Sequence, residues 1–174
     1  MTDQPKPDPH RTGPLAGVRI IDLSQFVLGP YATQTLGDLG ADVIKVEEPS
    51  GDRQRNSGKG PSKEMGPGYV ETGAVVIHNM RPSAVARLGY SYAQVAAITP
   101  DIVYVEAMGY DDDGPYAGLQ AFDDLIQSAS GACGLGQLVD PDAELRPLPS
   151  LLADKTCGLF AVIATLAALR HKEH

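Results

Sequence analysis

Residues 17–47 read GVRIIDLSQFVLGPYATQTLGDLGADVIKVE, and this stretch decides the fold. The β-branched run from Gly17 to Leu23 is typical of a buried strand, and Asp42–Glu47 predicts a second strand. The Gly29-Pro30 pair between them would disrupt a helix interior, so we expect the helix to begin near Pro30 and to end at Gly40. A strand, a helix and a second strand at this spacing form a βαβ unit, which requires a parallel sheet.

The rest of the chain continues the alternation of strands and helices. A Gly- and Pro-rich segment at residues 54–68 indicates a loop or disorder, and residues 1–13 predict a disordered tail. The fold class is therefore α/β, a partial Rossmann-like parallel sheet with flanking helices, in one domain over residues 14–174. The remaining predicted elements are strands at 74–79 and 101–107 and helices at Ser83–Leu88, Ser91–Ile98 and Phe122–Ala132, the last with Leu125, Ile126 and Ala129 facing inward.

The composition limits the classes of function. The 174 residues carry a net charge of −8 and no block rich in Lys or Arg, which argues against nucleic acid and anionic membranes as partners. Cys133 and Cys157 lack the spacing of a disulfide framework or a zinc site, so we expect a reducing cytoplasm and no metal. The longest apolar run, Leu159–Leu169, is too short to span a bilayer. We expect a soluble cytoplasmic protein.

Residues 151–169 read LLADKTCGLFAVIATLAAL and predict a helix that is apolar on nearly every side, hence buried in a core. Asp154 lies in its first turn. A carboxylate at a helix N-terminus gains from the helix dipole and from free backbone N–H groups, which favour its ionised form. From these residues alone, Asp154 is either a helix cap or a reactive carboxylate.

A series of short motifs resembles the N-terminal part of the family III CoA-transferases, which include formyl-CoA transferase, carnitine CoA-transferase and α-methylacyl-CoA racemase. The resemblance covers nearly all of residues 15–172, and the motifs follow in family order. They are LAGVRIIDLS at 15–24, GPYA at 29–32, LGADVIKVEEPSGDR at 39–53, NMRP at 79–82, RLG at 87–89, GY at 109–110, GPYA at 114–117, FDDLIQ at 122–127 and ADKTCG at 153–158.

This resemblance implies an activity and a set of site residues. Asp154 stands at the position of the family's nucleophile, which attacks an acyl-CoA to give a mixed anhydride and then an aspartyl-CoA thioester, from which CoA passes to a carboxylic acid. Coenzyme A, as acyl-CoA, is the implied substrate. Phe122 stands where the racemase branch has a catalytic histidine, and phenylalanine cannot act as a base, which favours a transferase over a racemase. The positions that match CoA contacts are Phe26, Val27, Asn79, Met80, Arg87 and Phe122.

Two departures from the family leave alternatives open. About one βα unit is absent between Tyr69 and Glu71, and the chain ends at His174, whereas family members are more than twice as long and form interlocked dimers. The resemblance therefore implies a homodimer or a missing C-terminal half. The hypotheses are an active CoA-transferase, an inactive remnant that still binds CoA or a partner chain, and a flavodoxin-like domain in which Asp154 is only a cap.

Overall fold

The computed structural model describes residues 12–52, 74–111 and 113–173. The chain divides into two compact units. The first comprises Met1–Ala107 with Gly158–His174, and the second comprises Met108–Cys157. The predicted N-terminal tail, apart from Thr12 and Gly13, and the predicted loop at 54–68 lie outside the described residues. The same holds for the position between Tyr69 and Glu71, where the resemblance implies that a βα unit is missing.

The first unit is built on a parallel four-stranded sheet in the order β2-β1-β3-β4. All three strand pairs are parallel, which confirms the α/β fold class. Strand β1 is central and pairs directly with β3, aligning Ile20 with Val75. The strands are β1 (Arg19–Asp22), β2 (Asp42–Lys45), β3 (Val75–His78) and β4 (Val103–Glu106).

Helix α1 (Leu28–Asp38) connects β1 to β2 and begins two residues before the predicted start. Pro30 is its third residue, where a missing N–H costs nothing because the first four N–H groups of a helix have no intrahelical acceptor. Gly29 is required at the second position, since a Cβ there would lie 2.0 Å from the Cβ of Ser24. Gly40 follows the helix with a φ of 101°, the left-handed conformation predicted for its end.

The two faces of the sheet carry separate hydrophobic clusters, because alternate residues of a strand point to opposite faces. Ile20 packs with Leu36 of α1 on one face, together with Ala161 and Val162. Ile21 belongs to the cluster on the other face. Helices α2 (Pro82–Leu88) and α3 (Tyr92–Ile98) connect β3 to β4, as predicted.

The second unit contains α4 (Asp123–Ala129), a 3₁₀ helix (Ala132–Leu138) and the first turns of α5 (Leu152–Lys172). The prediction that Leu125, Ile126 and Ala129 face inward is wrong for Leu125, the largest of the exposed ones. Leu125 is 44% exposed, and the buried residues of α4 are Asp123 and Gln127. These polar side chains are buried because Gln127 bonds to Leu148 and Ser150, which precede α5, and Asp123 accepts the N–H of Asp154 in α5.

Helix α5 is buried along one narrow face only, so the prediction of a helix buried on all sides is also wrong. Its buried residues are Gly158, Ala161, Val162 and Thr165. Leu159, Phe160 and Ile163 are between 45% and 66% exposed. Gly158 is required because a Cβ would lie 2.9 Å from the carbonyl oxygen of Leu28. The helix is long and apolar enough to cross a membrane by length and composition, a test that core helices of soluble proteins also pass.

Candidate functional site

The loop that follows β1 is held by the side chain of Asn79, which follows β3. The backbone N–H of Gln25 donates to Oδ1 of Asn79 at 2.9 Å, and Nδ2 of Asn79 donates to the carbonyl oxygen of Gln25 at 2.8 Å. This two-point contact joins the carboxyl ends of two neighbouring parallel strands, where ligands bind in open α/β sheets. Among the predicted site residues, the structure thus brings Asn79 to the loop that carries Phe26 and Val27.

Phe26 adopts a left-handed backbone conformation with a φ of 66°, and no other described non-glycine residue has a positive φ. A bulky residue in this region costs on the order of 1–3 kcal/mol and persists where surrounding contacts enforce it. Its backbone N–H donates to Oδ1 of Asp52 at 3.4 Å. The side chain is 44% exposed. Val27, which is half-buried, precedes α1 and accepts the hydrogen bond from the N–H of Tyr31.

A buried charged cluster beneath this loop was missed by the sequence analysis. Asp22, 1% exposed, accepts hydrogen bonds from the N–H and the hydroxyl of Ser24 and from Oγ1 of Thr33. Nζ of Lys45 lies 3.3 Å from Oδ2 of Asp22 and 3.7 Å from Oδ2 of Asp52. An Asp in a buried strand was the available signal, but its partners depend on the register that aligns Asp22 with Lys45.

Met80 and Arg87 have different environments. Met80 packs against the cluster that contains Ile21 and Val76, so it belongs in part to the core. Arg87 lies in the last turn of α2, with an exposed side chain. Its guanidinium forms no salt bridge within the described parts of the chain. It can therefore bind an anion without breaking an existing ion pair.

His78, which precedes Asn79, is fully buried. The hydroxyl of Tyr104 donates to the carbonyl oxygen of Tyr90 at 2.7 Å and lies 2.7 Å from Nε2 of His78. Burial lowers the pKa of His78, and burial together with Glu106 raises the pKa of Tyr104 to about 12. Both groups are uncharged near neutral pH.

Asp154 lies in the first turn of α5 within the second unit and is half-buried. Its carboxylate accepts no hydrogen bond and forms no salt bridge among the residues that the structure describes. Burial raises the pKa of Asp154, and the nearby carboxylate of Asp123 raises it further. The direction is opposite to the expectation from the helix dipole, because burial and a like charge outweigh the dipole.

The cap of α5 is Asp123, a residue that the sequence analysis did not single out. Its Oδ2 accepts the backbone N–H of Asp154 at 2.9 Å. Asp123 is buried and comes from α4. The capping role considered for Asp154 therefore belongs to Asp123. The carboxylate of Asp154 has no hydrogen-bond partner among the described residues. A cap supplied from a residue 31 positions away has no local sequence signal.

Two further residues of the second unit bear on its chemistry. Phe122 precedes α4 and is 56% exposed, so its ring is available for apolar contact but not for proton transfer. Burial raises the pKa of the Cys157 thiol, and Asp154 and Asp123 add to the shift. A thiol held in its protonated form is a poor nucleophile. No group of three or more His, Cys, Asp or Glu suited to a metal ion occurs among the described residues.

Comparison with known sequences identifies the family. The profile of CoA-transferase family III matches residues 15–73 and 62–174. The chain is 30% identical to a succinate–glutarate CoA-transferase of Agrobacterium fabrum over 204 aligned positions, which cover 98% of this chain and 50% of that protein. It is 29% identical to a formyl-CoA:oxalate CoA-transferase of Escherichia coli, with coverage of 92% and 44%.

Solved structures agree with these relatives. A CAIB/BAIF family protein from Brucella suis superposes with a TM-score of 0.82 at 30% identity, over 92% of this chain and 50% of that one. A hypothetical protein from Mycobacterium tuberculosis gives a TM-score of 0.81 at 28% identity, over 94% and 51%. The chain spans about half the length of the relatives that it matches.

Proposed function

Because the chain belongs to CoA-transferase family III, we propose that it moves CoA between an acyl-CoA thioester and a carboxylic acid, with Asp154 as the nucleophile. The observation that carries this proposal is the state of the Asp154 carboxylate. It is half-buried, it has no hydrogen-bond partner in the described parts of the chain, and a neighbouring aspartate caps its helix instead. A structural carboxylate would be expected to hold partners of its own.

The chemistry is a sequence of reversible acyl transfers. A carboxylate oxygen of Asp154 attacks the thioester carbonyl, the C–S bond breaks, and CoA leaves as the thiolate. The thiolate then attacks the Asp154 carbonyl of the mixed anhydride and releases the first acid as its carboxylate, leaving an aspartyl-CoA thioester. An acceptor carboxylate reverses both steps. The covalent link conserves the free energy of the thioester while the two acids exchange.

The raised pKa of Asp154 fits this role. A carboxylate that burial and a like charge make more basic is also a better nucleophile than a fully solvated one, provided that it is ionised at the working pH. The ordinary pKa of the group is 3.8, and burial and the Asp123 carboxylate raise it. The helix dipole supports the ionised form without overriding burial.

The proposed CoA contacts are Phe26, Val27, Asn79, Met80, Arg87 and Phe122. Their environments suggest a division of roles. The exposed guanidinium of Arg87 is suited to a phosphate of CoA, which must be held by local cations because the chain carries a net charge of −8. The ring of Phe26 in the first unit is exposed enough for apolar contact with CoA, and in the second unit the ring of Phe122 is also exposed. The amide of Asn79 is engaged by Gln25, so we assign it to holding the loop.

We also propose that the exposed face of α5 is covered in the working protein by a second copy of the chain or by a polypeptide that supplies the remaining part of the relatives. Leu159, Phe160 and Ile163 form this apolar face, and each is exposed by 45% or more. Leaving such side chains in water forfeits on the order of 1 kcal/mol each. The alternative function, an inactive protein that binds CoA or a partner, is favoured by this same face and is separated by the following experiment.

The proposal is tested by trapping the intermediate. The full chain is incubated with succinyl-CoA and then with hydroxylamine, which converts an anhydride or thioester at an aspartyl carbonyl into a hydroxamate, and the modified peptide is found by mass spectrometry. We expect the hydroxamate at Asp154 and none in Asp154→Asn. Asp124→Asn is the matched control, since Asp124 is exposed in the same unit, and it should label like the native chain.

The outcomes separate the hypotheses. CoA binding measured by calorimetry without any adduct would overturn the transferase and support the inactive binding protein. Absence of both binding and adduct would favour a domain in which Asp154 has no chemical role. Loss of the α-proton of an acyl-CoA to solvent deuterium would point to a racemase, against the expectation from Phe122.

A further inference from the structure

Gln127 is the most completely hydrogen-bonded side chain in the second unit. It is 2% exposed. Its Nε2 donates to Oδ1 of Asp123 at 2.5 Å and to the carbonyl oxygen of Ser150 at 3.0 Å, and its Oε1 accepts the N–H of Leu148 at 2.7 Å. Two acceptors face the nitrogen and a donor faces the oxygen, so the amide has one orientation that satisfies all three contacts.

These contacts continue to the nucleophile position. Oδ1 of Asp123 is held by Gln127, which leaves Oδ2 directed at the backbone N–H of Asp154 at 2.9 Å. Asp154 is the third residue of α5, where a backbone N–H has no intrahelical acceptor. Gln127 therefore joins α4 to the segment before α5, and Asp123 extends the contact to the first turn of α5.

We infer that Gln127 is a positioning residue for the reaction: it aims Asp123 at the first turn of α5 and so fixes the orientation of Asp154. The inference rests on the proposed function for the role of Asp154, but its structural part does not. The competing explanation is that Gln127 only fastens the Leu148–Ser150 segment. In that case, loss of its hydrogen bond to Asp123 would leave Asp154 unaffected.

Amide hydrogen exchange at Asp154, measured by NMR on the full chain, separates these explanations without requiring activity. The N–H of Asp154 depends on Asp123 for protection, so Gln127→Met should accelerate its exchange roughly fivefold, the effect of one net hydrogen bond. Gln137→Met is the matched control, because Gln137 is an exposed glutamine of the same unit that donates to the carbonyl oxygen of Ala143 at 2.9 Å. It should leave the exchange at Asp154 unchanged.

A double variant tests whether Gln127 acts through Asp123. Asp123→Ala removes the acceptor and should itself expose the N–H of Asp154. Adding Gln127→Met should then give no further acceleration, since both changes break one pathway. Accelerations that multiply in the double variant, or native exchange in Gln127→Met, would overturn the inference.

Gln127→Glu supplies a readout that a purely structural role would not move. A protonated carboxyl can still donate to Asp123 and accept from Leu148, whereas an ionised one repels Asp123. Protection at Asp154 should be retained at low pH and lost as the pH rises in this variant, with no such loss in the native chain. If Gln127→Met fails to fold, this pH titration of Gln127→Glu tests the inference in its place. Protection at Asp154 that does not depend on pH in Gln127→Glu would contradict the inference.

Transfer kinetics complete the test. In Gln127→Met we expect kcat for CoA transfer to fall roughly tenfold with KM unchanged, because a misaimed nucleophile affects the chemical step more than binding. If exchange changes as expected while the native chain shows no transfer, the proposed function fails and the positioning contact stands. If transfer is present and kcat is unaffected, the positioning role fails and the proposed function stands.

Discussion

Asp22 and Asp154 are aspartates in two regions of one chain, and their surroundings are opposite. Asp22, at the carboxyl end of β1, is 1% exposed and is surrounded by Ser24, Thr33 and Lys45. Asp154, at the start of α5, is half-buried, and its carboxylate has no hydrogen-bond partner within the described residues. A carboxylate with every oxygen engaged holds a fold together, whereas one that is positioned through its backbone and left unpaired is available for chemistry.

The comparison is tested most severely by removing the charge at Asp154. Asp154→Asn should reduce CoA transfer by roughly 10⁴-fold or more, as removal of a covalent nucleophile does. Its unfolding free energy should not fall, because no side-chain partner is lost and the repulsion from Asp123 is relieved. Steady-state transfer and urea unfolding measure the two quantities on one preparation. Substantial residual transfer in Asp154→Asn would show that Asp154 is not the nucleophile.

The reverse result is expected for Asp22. Asp22→Asn leaves Lys45 without its closest carboxylate in a buried site, so the unfolding free energy should fall by about 3 kcal/mol. Asp38→Asn is the matched control, because Asp38 is an exposed aspartate of α1, and it should be nearly neutral. Urea unfolding measures both variants. Equal stability of the two variants would show that the buried cluster does not hold the loop.

A smaller effect is expected at the contact between the two strand ends. Asn79→Ala removes both hydrogen bonds to the backbone of Gln25, which should cost about 1–3 kcal/mol of unfolding free energy. Asn79→Asp keeps the acceptor for the Gln25 N–H but turns an oxygen toward the Gln25 carbonyl. It should therefore be no better than alanine. If CoA affinity falls in both variants while stability does not, Asn79 contacts CoA directly instead of holding the loop.

The smallest effect concerns pH. The pKa of buried His78 is lowered from its ordinary value of 6.5, so its neutral form is favoured in the folded chain. Its contribution to stability is present above pH 6.5 and is lost as the pH falls below that value, because the unfolded chain binds the proton first. His78→Gln should weaken this dependence in urea unfolding measured between pH 5 and pH 7. An unchanged pH dependence in the variant would exclude His78 as its source.

Much of the fold could be predicted from local pattern. The strand and helix sequence of the first unit follows from short β-branched runs and from turn residues such as Gly40 and Gly89, which take left-handed conformations where the helices end. The predictions that failed concern which face of a helix is covered. Hydrophobicity suggested that Leu125 faces inward and that α5 is buried throughout, but burial depends on what lies opposite each face.

The candidate site was also predicted only in part from the sequence. The proposal that Asp154 is the reactive residue came from motif order, and it stays a prediction. Asp123, Gln127 and the cluster around Asp22 were not found, since each also has a partner distant in sequence. Gln127, for example, bonds with Leu148 and Ser150, more than twenty positions away.

By itself, the sequence determined the parallel α/β fold and the family, and it supplied the proposal that Asp154 is the nucleophile. These depend on local propensity and on residues read in order along the chain. The tertiary structure alone decided that Asp123 caps α5, that Gln127 holds Asp123, and that the pKa of Asp154 rises. Those properties arise from burial and from charges that folding brings together. Neither burial nor these charge contacts can be read from the residues adjacent in sequence.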